Sequence, residues 1–119
     1  MIEYQNYING QWKKSSSSDK FLSKNPANCN DILGSFPNST REETIEAIDA
    51  AAEAFKSWSE IPAPARGEIL YKASLEIDKN FEELAHLLTR DEGKTISTAR
   101  GEISRGRDIF RYFGSSGWR

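Results

Sequence analysis

Thiols and imidazoles are almost missing from this chain of 119 residues, which holds one cysteine, Cys29, and one histidine, His86. A single cysteine excludes an internal disulfide framework and a thiolate-rich metal site. An excess of positive charge is missing too, since 16 basic and 18 acidic residues leave a formal net charge of −2. The chain therefore carries no electrostatic footprint for nucleic acid or an anionic membrane. No apolar run approaches the length of a transmembrane helix, and Met1-Ile2-Glu3-Tyr4 has neither the basic nor the apolar region of a secretory signal. These absences predict a cytoplasmic protein with no nucleic-acid and no membrane partner. Hydrophobic residues make up 37% of the chain, less core-forming material than a self-sufficient domain usually carries.

What is present is dominated by helical periodicity. From Ala65 to Glu92 the apolar residues Ile69, Leu70, Ile77, Phe81, Leu84, Leu87 and Leu88 recur in steps of three and four, the period of an amphipathic helix. Asn80 and Glu83 have capping-box spacing, so two helices are predicted, about Ala65–Lys79 and Phe81–Glu92, with Gly93 as the terminating residue. An earlier helix should begin at Thr40, whose spacing to Glu43 is again that of a capping box, with Glu42 and Glu43 in the dipole-favoured first turn. Its stripe is Ile45, Ile48, Ala52 and Phe55. Its alanines, Ala47, Ala50, Ala51 and Ala54, predict close approach by a partner helix near the middle of a packed layer. Ser57 to Pro64 reads as a connector stiffened by two prolines. A last helix should start near Ser97 or Thr98, run through Ala99, Ile103, Gly106, Phe110 and Phe113, and end at Gly114-Ser115-Ser116-Gly117.

Residues 1–37 read as hairpins instead. Asn9-Gly10 is a strong hairpin turn between Tyr7-Ile8 and Trp12, because both residues tolerate positive φ. Lys13 to Lys20 is a polar serine run, expected to be a solvated loop without a role. Phe21–Lys24 and Ile32–Pro37 should be strands, the second edge-like and stopped by Pro37, around the turn Asn25-Pro26-Ala27-Asn28. Such thin hairpins need something to lie against. Phe110, Tyr112, Phe113 and Trp118 crowd the last residues, an aromatic patch that predicts association and an interrupted domain.

Candidate chemistry is sparse. His86 sits within Leu84-Ala85-His86-Leu87-Leu88 with no acid expected at useful ligand spacing, since Asp91 and Glu92 lie on another face. Cys29 lies in a polar turn, with no base or oxyanion donor in evidence. Glu42-Glu43 and Glu82-Glu83 are accounted for by helix first turns. Gly101, Gly106, Gly114 and Gly117 fit neither a dinucleotide nor a phosphate-loop pattern, and Gly93-Lys94-Thr95 matches only the tail of the latter. Arg100, Arg105, Arg107 and Arg111 alternate with Glu102 and Asp108, which predicts a solvated helix face or an intramolecular ion network rather than a phosphate or RNA site.

Several islands, taken together, resemble the N-terminal part of the NAD(P)-dependent aldehyde dehydrogenase superfamily. They are Tyr7-Ile8-Asn9-Gly10-Gln11-Trp12, Asn25-Pro26-Ala27, Ala47-Ile48-Asp49-Ala50-Ala51-Ala52-Glu53-Ala54-Phe55 with Trp58, and Pro64-Ala65-Arg66-Gly67-Glu68-Ile69-Leu70. Glu83-Leu84-Ala85, Thr89-Arg90-Asp91-Glu92-Gly93-Lys94-Thr95, Ala99-Arg100-Gly101-Glu102-Ile103 and Phe110-Arg111-Tyr112-Phe113 continue the series. The resemblance implies an α/β parent fold in which residues 1–119 supply N-terminal hairpins (1–37) and a helical layer (38–119), an incomplete part of a Rossmann-like nucleotide-binding domain. It also implies aldehyde oxidation with NAD or NADP, through a cysteine nucleophile, held oxyanion, hydride transfer and a glutamate-activated water. None of those parts maps onto this chain. Cys29 does not match the catalytic cysteine, and Glu102 corresponds only to an acidic position beside a monovalent-cation site in some relatives. The resemblance thus assigns no catalytic, cofactor-binding or metal residue here, no NAD(P) binding by the segment alone, and as partners the rest of the dehydrogenase chain and a homo-oligomer when complete. The alternative is a non-catalytic, truncated helical domain that binds another protein through its aromatic C-terminal helix.

Overall fold

The computed structural model describes residues 1–119 as four short strands followed by four helices. They are β1 (Asn6–Ile8), β2 (Gln11–Lys13), β3 (Lys20–Lys24), β4 (Ile32–Pro37), α1 (Arg41–Trp58), α2 (Ala63–Lys79), α3 (Phe81–Glu92) and α4 (Ile96–Ser116). They divide into two units, Met1–Glu60 and Ile61–Arg119.

In the first unit β1 and β2 pair antiparallel, with Tyr7 opposite Trp12. Asn9 and Gly10 turn the chain at φ 51° and 75°, the left-handed geometry that Asn-Gly predicts. β3 and β4 form a second antiparallel pair. β4 is not the edge that was expected. On its other side Tyr4 N donates to Ser35 O and Ser35 N to Ile2 O, both at 2.9 Å, so residues 2–4 lie beside it. The Tyr4 ring stacks on Phe36 at 4.5 Å, and Phe21 lies 5.6 Å from Phe36 on the neighbouring strand. Gly34 permits this: a Cβ there would stand 2.4 Å from Tyr4 Cε2. Ile8 of β1 and Leu33 and Ser35 of β4 are the buried side chains of this unit.

Helix α1 starts as predicted, with the Thr40–Glu43 capping box formed in both directions. Its alanines do not receive a partner helix, however. No α1 residue is buried, so the expectation of a central packed helix fails within this chain. Small side chains allow close approach, but only a neighbour supplies it.

In the second unit α2 begins two residues earlier than the periodicity suggested. Pro62 is its N-cap and Pro64 lies in its first turn, where a missing N–H costs nothing. The connector is correspondingly shorter than Ser57–Pro64. Asn80 separates α2 from α3 but makes no capping box with Glu83; its Nδ2 instead donates to Glu76 O at 2.9 Å and closes α2. One residue serves both helix ends here, and its side chain turns back to the carbonyls of the helix it finishes. Gly93 ends α3 at φ 69°, as expected. Thr95 caps α4, accepting from Thr98 N, so that helix also starts slightly early.

α2 and α4 run antiparallel. Ala63 lies against Gly117, Gly67 against Gly114, and Asp78 against Arg107. The Gly114–Gly117 segment ends the helix as predicted, with Ser116 its last residue and Gly117 the C-cap, although Gly114 itself still lies within the helix. Gly114 is a buried helical residue, and a Cβ on Gly67 would stand only 2.1 Å from its carbonyl oxygen. Two glycines thus let the backbones nearly touch. α3 and α4 also pack together, with Ala85 of α3 and Ala99 of α4 both fully buried and Arg100 of α4 reaching Glu82 of α3.

Candidate functional site

The residues singled out for chemistry are scattered. Cys29 is an exposed free thiol. Its turn is built from amides and a carboxylate: Asn28 N donates to Asn25 O, Asp31 N to Asn28 O, and Asn25 Nδ2 to Asp31 Oδ2. Those bonds hold a loop and do not present a base to the sulfur. His86 is exposed on α3, and here the sequence reading needs correction. Glu82, one turn earlier, does share its face, with Oε2 4.0 Å from Nε2. That carboxylate is already taken. Arg100 holds it from α4 with Nε and Nη2 at 2.9–3.2 Å, a bidentate pair that keeps Glu82 below the usual carboxylate range. No three His, Cys, Asp or Glu side chains gather as a metal site would require.

Of the two readings of the arginines, a solvated face or an ion network, Arg100, Arg107 and Arg111 take the second. Arg107 donates to Asp78 Oδ1 at 3.0 Å and to Asp108 Oδ1 at 2.9 Å, while Arg111 reaches Asp78 Oδ2 and the buried Ser74 hydroxyl. The Arg107 hydrogen bond, with Arg111 beside it, holds Asp78 below its ordinary value. Arg105 takes no part in these bonds. Lys94, far from cradling phosphate, is shared by Glu102 at 2.7 Å and Glu92 at 2.5 Å, and the Glu102 bond raises it above the usual lysine range. Glu102 therefore meets an ammonium here.

A depression of about 570 Å³ runs along the α2–α4 crossing beside Gly67, Tyr71, Arg111, Gly114 and Trp118. Its walls are apolar, and its one arginine is committed to Asp78. It offers neither a nucleophile–base pair nor an oxyanion donor set. The strand pairs are antiparallel hairpins, so no parallel sheet with a glycine-rich turn is present to seat a pyrophosphate.

One arrangement was missed from sequence. Glu43, besides completing the α1 capping box, accepts from Ser15 Oγ at 2.7 Å, Ser16 N at 2.6 Å and Ser16 Oγ at 3.1 Å. The serine run is thus fastened and not merely solvated. Bonds from the Ser16 amide, then the Ser15 hydroxyl and the Thr40 amide, lower the Glu43 pKa to about 2. Nothing in a polar run of serines signals which distant carboxylate it will meet.

Residues 12–118 match the aldehyde dehydrogenase family. The chain belongs to that family. It is 43% identical over 116 residues to the alpha-ketoglutaric semialdehyde dehydrogenase of Bacillus subtilis (strain 168), covering 98% of this chain and 24% of the relative. With malonate-semialdehyde dehydrogenase 1 of Geobacillus thermodenitrificans (strain NG80-2) it shares 45% identity over 108 residues, 91% of this chain and 22% of that protein. Among solved structures it resembles the NADP-dependent glyceraldehyde-3-phosphate dehydrogenase of Bacillus halodurans C-125 complexed with NADP. That likeness has a TM-score of 0.91 and 29% identity over 97% of this chain and 24% of that one. The hairpins and helices of this aldehyde dehydrogenase chain are therefore the fold of its family, but it spans about a quarter of the length of these relatives. No helix is long and apolar enough to cross a membrane.

Proposed function

We propose that the chain is the N-terminal, scaffolding part of an enzyme that oxidises an aldehyde to a carboxylic acid with NAD or NADP. The observation that carries this reading is the family match over residues 12–118 combined with coverage of only about a quarter of each relative. On this reading the nucleophilic cysteine, oxyanion donors and dinucleotide sheet lie in the rest of the protein. Residues 1–119 contribute no catalytic, cofactor-binding or metal residue. The hairpins and helices lie against the nucleotide-binding sheet, and the complete enzyme is a cytoplasmic homo-oligomer. The two curated relatives above act, by name, on semialdehydes, which makes a semialdehyde the first substrate class to try.

Oxidation needs a nucleophile to form the tetrahedral adduct, donors for its oxyanion, and a dinucleotide placed to accept hydride. The exposed Cys29 turn supplies none of the last two. The test is aldehyde-dependent nicotinamide reduction, measured for the complete protein and for residues 1–119 alone, each with and without Cys29→Ser. Turnover by the complete protein that survives Cys29→Ser, with none from residues 1–119, is expected. Turnover by residues 1–119 that disappears with Cys29→Ser would overturn the assignment.

A further inference from the structure

Between β2 and β3 the polar segment 14–19 passes beside the first turn of α1. It carries almost nothing apolar, yet it is held in place. Ser15 Oγ, Ser16 N and Ser16 Oγ all converge on the Glu43 carboxylate, at 2.7, 2.6 and 3.1 Å. Two further bonds are internal: Ser17 N donates to Ser15 Oγ and Asp19 N to Ser17 Oγ, each at 3.1 Å. We infer that Glu43 is the latch of a strap, its carboxylate holding segment 14–19 shut against the start of α1 while leaving α1 able to stand without the strap.

Two features separate the latch from ordinary capping. The capping function of Glu43 uses only its bond from Thr40 N at 3.0 Å, and glutamine at the same position can make that bond too. The three strap bonds are additional, and they draw on the carboxylate's charge. The charged groups around the latch leave it to the serines. Lys13, at the strap's root, is paired with Glu46 of α1 at 2.5 Å, while Lys14 and Asp19 on the strap and Arg41 and Glu42 on α1 make no ion pair with Glu43. With a pKa lowered to about 2, Glu43 stays ionised at neutral pH and the strap stays shut. The sign is that of any depressed carboxylate: closure is complete above the unfolded value and is lost as pH falls through the folded one. Lys14, Ser15 and Ser17 of the strap also line a depression of about 180 Å³, together with Glu3, Tyr4 and Lys20. This inference does not rest on the dehydrogenase reading.

The test uses the full-length protein and follows limited trypsin cleavage after Lys14, within the strap, together with hydrogen exchange of the α1 amides. Glu43→Gln keeps the cap and removes the charge, while Ser15→Ala/Ser16→Ala keeps the carboxylate and removes both hydroxyl partners. Each is expected to speed cleavage after Lys14 by about fivefold or more, the difference between charge-assisted and neutral bonding, with α1 exchange unchanged in the serine variant, which leaves the first-turn charge in place. Wild-type cleavage rates in both variants would overturn the latch. So would α1 exchange rising in step with cleavage in the serine variant, because the strap would then be part of the helix cap and not a separate moving piece.

Discussion

Replacing Gly67 with alanine sets two effects of known size against each other at one position. In a helix interior the substitution should stabilise by about 1 kcal/mol, because alanine loses less backbone freedom on folding. Packing opposes it. The new Cβ would stand 2.1 Å from Gly114 O and 3.1 Å from Gly114 C, whereas an ordinary contact begins at 3.4 Å. The obstacle is backbone, so no rotamer change relieves it, and α2 and α4 must separate by more than an ångström. A gap of that order forfeits a quarter to a half of each dispersion contact along the crossing, and overpacking costs about 1–3 kcal/mol before any larger rearrangement. Packing wins. Gly67→Ala should therefore destabilise by about 2 kcal/mol despite the gain in propensity. Gly114→Ala should cost less, since its Cβ would meet Gly67 O at 2.9 Å. Gly101 and Gly106, on the same α4, have nothing within 4 Å of the added atom and serve as controls that should hold or gain stability. Urea unfolding of the four variants in the complete protein ranks them by midpoint. A Gly67→Ala midpoint at or above wild type, or Gly101→Ala falling as far, would refute the reasoning.

Thr40→Ala removes the acceptor for Glu43 N and should cost about 1 kcal/mol; an unfolding midpoint unchanged within error would mean another group caps α1. Asp78, held low chiefly by Arg107, contributes stability that is complete above the unfolded carboxylate value, about 4, and fades as pH falls through its lowered folded value. The acid-side loss in thermal midpoint should accordingly be shallower in Asp78→Asn, and an identical slope would acquit Asp78. Residues 1–119 alone should self-associate or unfold below about 5 kcal/mol, the low end for a stable domain. Sedimentation showing a monodisperse monomer, with cooperative urea unfolding above that value, is the contrary result.

How legible each feature was in the sequence depended on the distance over which it is decided. Thr40 with Glu43, Asn9-Gly10 and Gly93 could be read because caps and turns are fixed by residues within one turn of each other. The division at Asn80 could be read, but the direction of its side chain could not, since the capping spacing is the same whether Nδ2 turns forward or back. Glu43 was legible as a cap and opaque as a latch, its serine partners lying 27 and 28 residues away. Gly67 and Gly114 were opaque for the same reason. Gly67 looks like an ordinary helix glycine and Gly114 like part of a helix end until the antiparallel crossing sets one carbonyl against the other residue's missing side chain. Among the chemical candidates, the ion pairing of the arginines is legible in their alternation with acids, and the Glu82–His86 approach in their spacing of four, one helical turn.

Helix α1 shows that a periodic pattern and burial are separate facts. Its apolar stripe is plain in the sequence, yet Ile45, Ile48 and Phe55 are 41, 61 and 62% exposed and no residue on the helix is buried. Capping and propensity account for the helix forming; neither accounts for the stripe, because a solvated helix gains nothing from aligning its apolar residues. Tyr112, Phe113 and Trp118, at 59, 57 and 80% exposed, present the same excess on and beyond α4. Apolar surface gains about 25 cal/mol per Å² only when it leaves water, so these side chains supply little of that stabilisation within residues 1–119. On the dehydrogenase reading they face the other three-quarters of the enzyme, and the pattern that sequence shows is a property of that larger assembly. The same argument explains why the helices announce themselves so clearly while the chemistry does not. Amphipathic periodicity is carried by the segment itself. A nucleophile, its oxyanion donors and a bound dinucleotide are useful only where they converge, and on this reading their point of convergence lies in the sheet against which these helices pack.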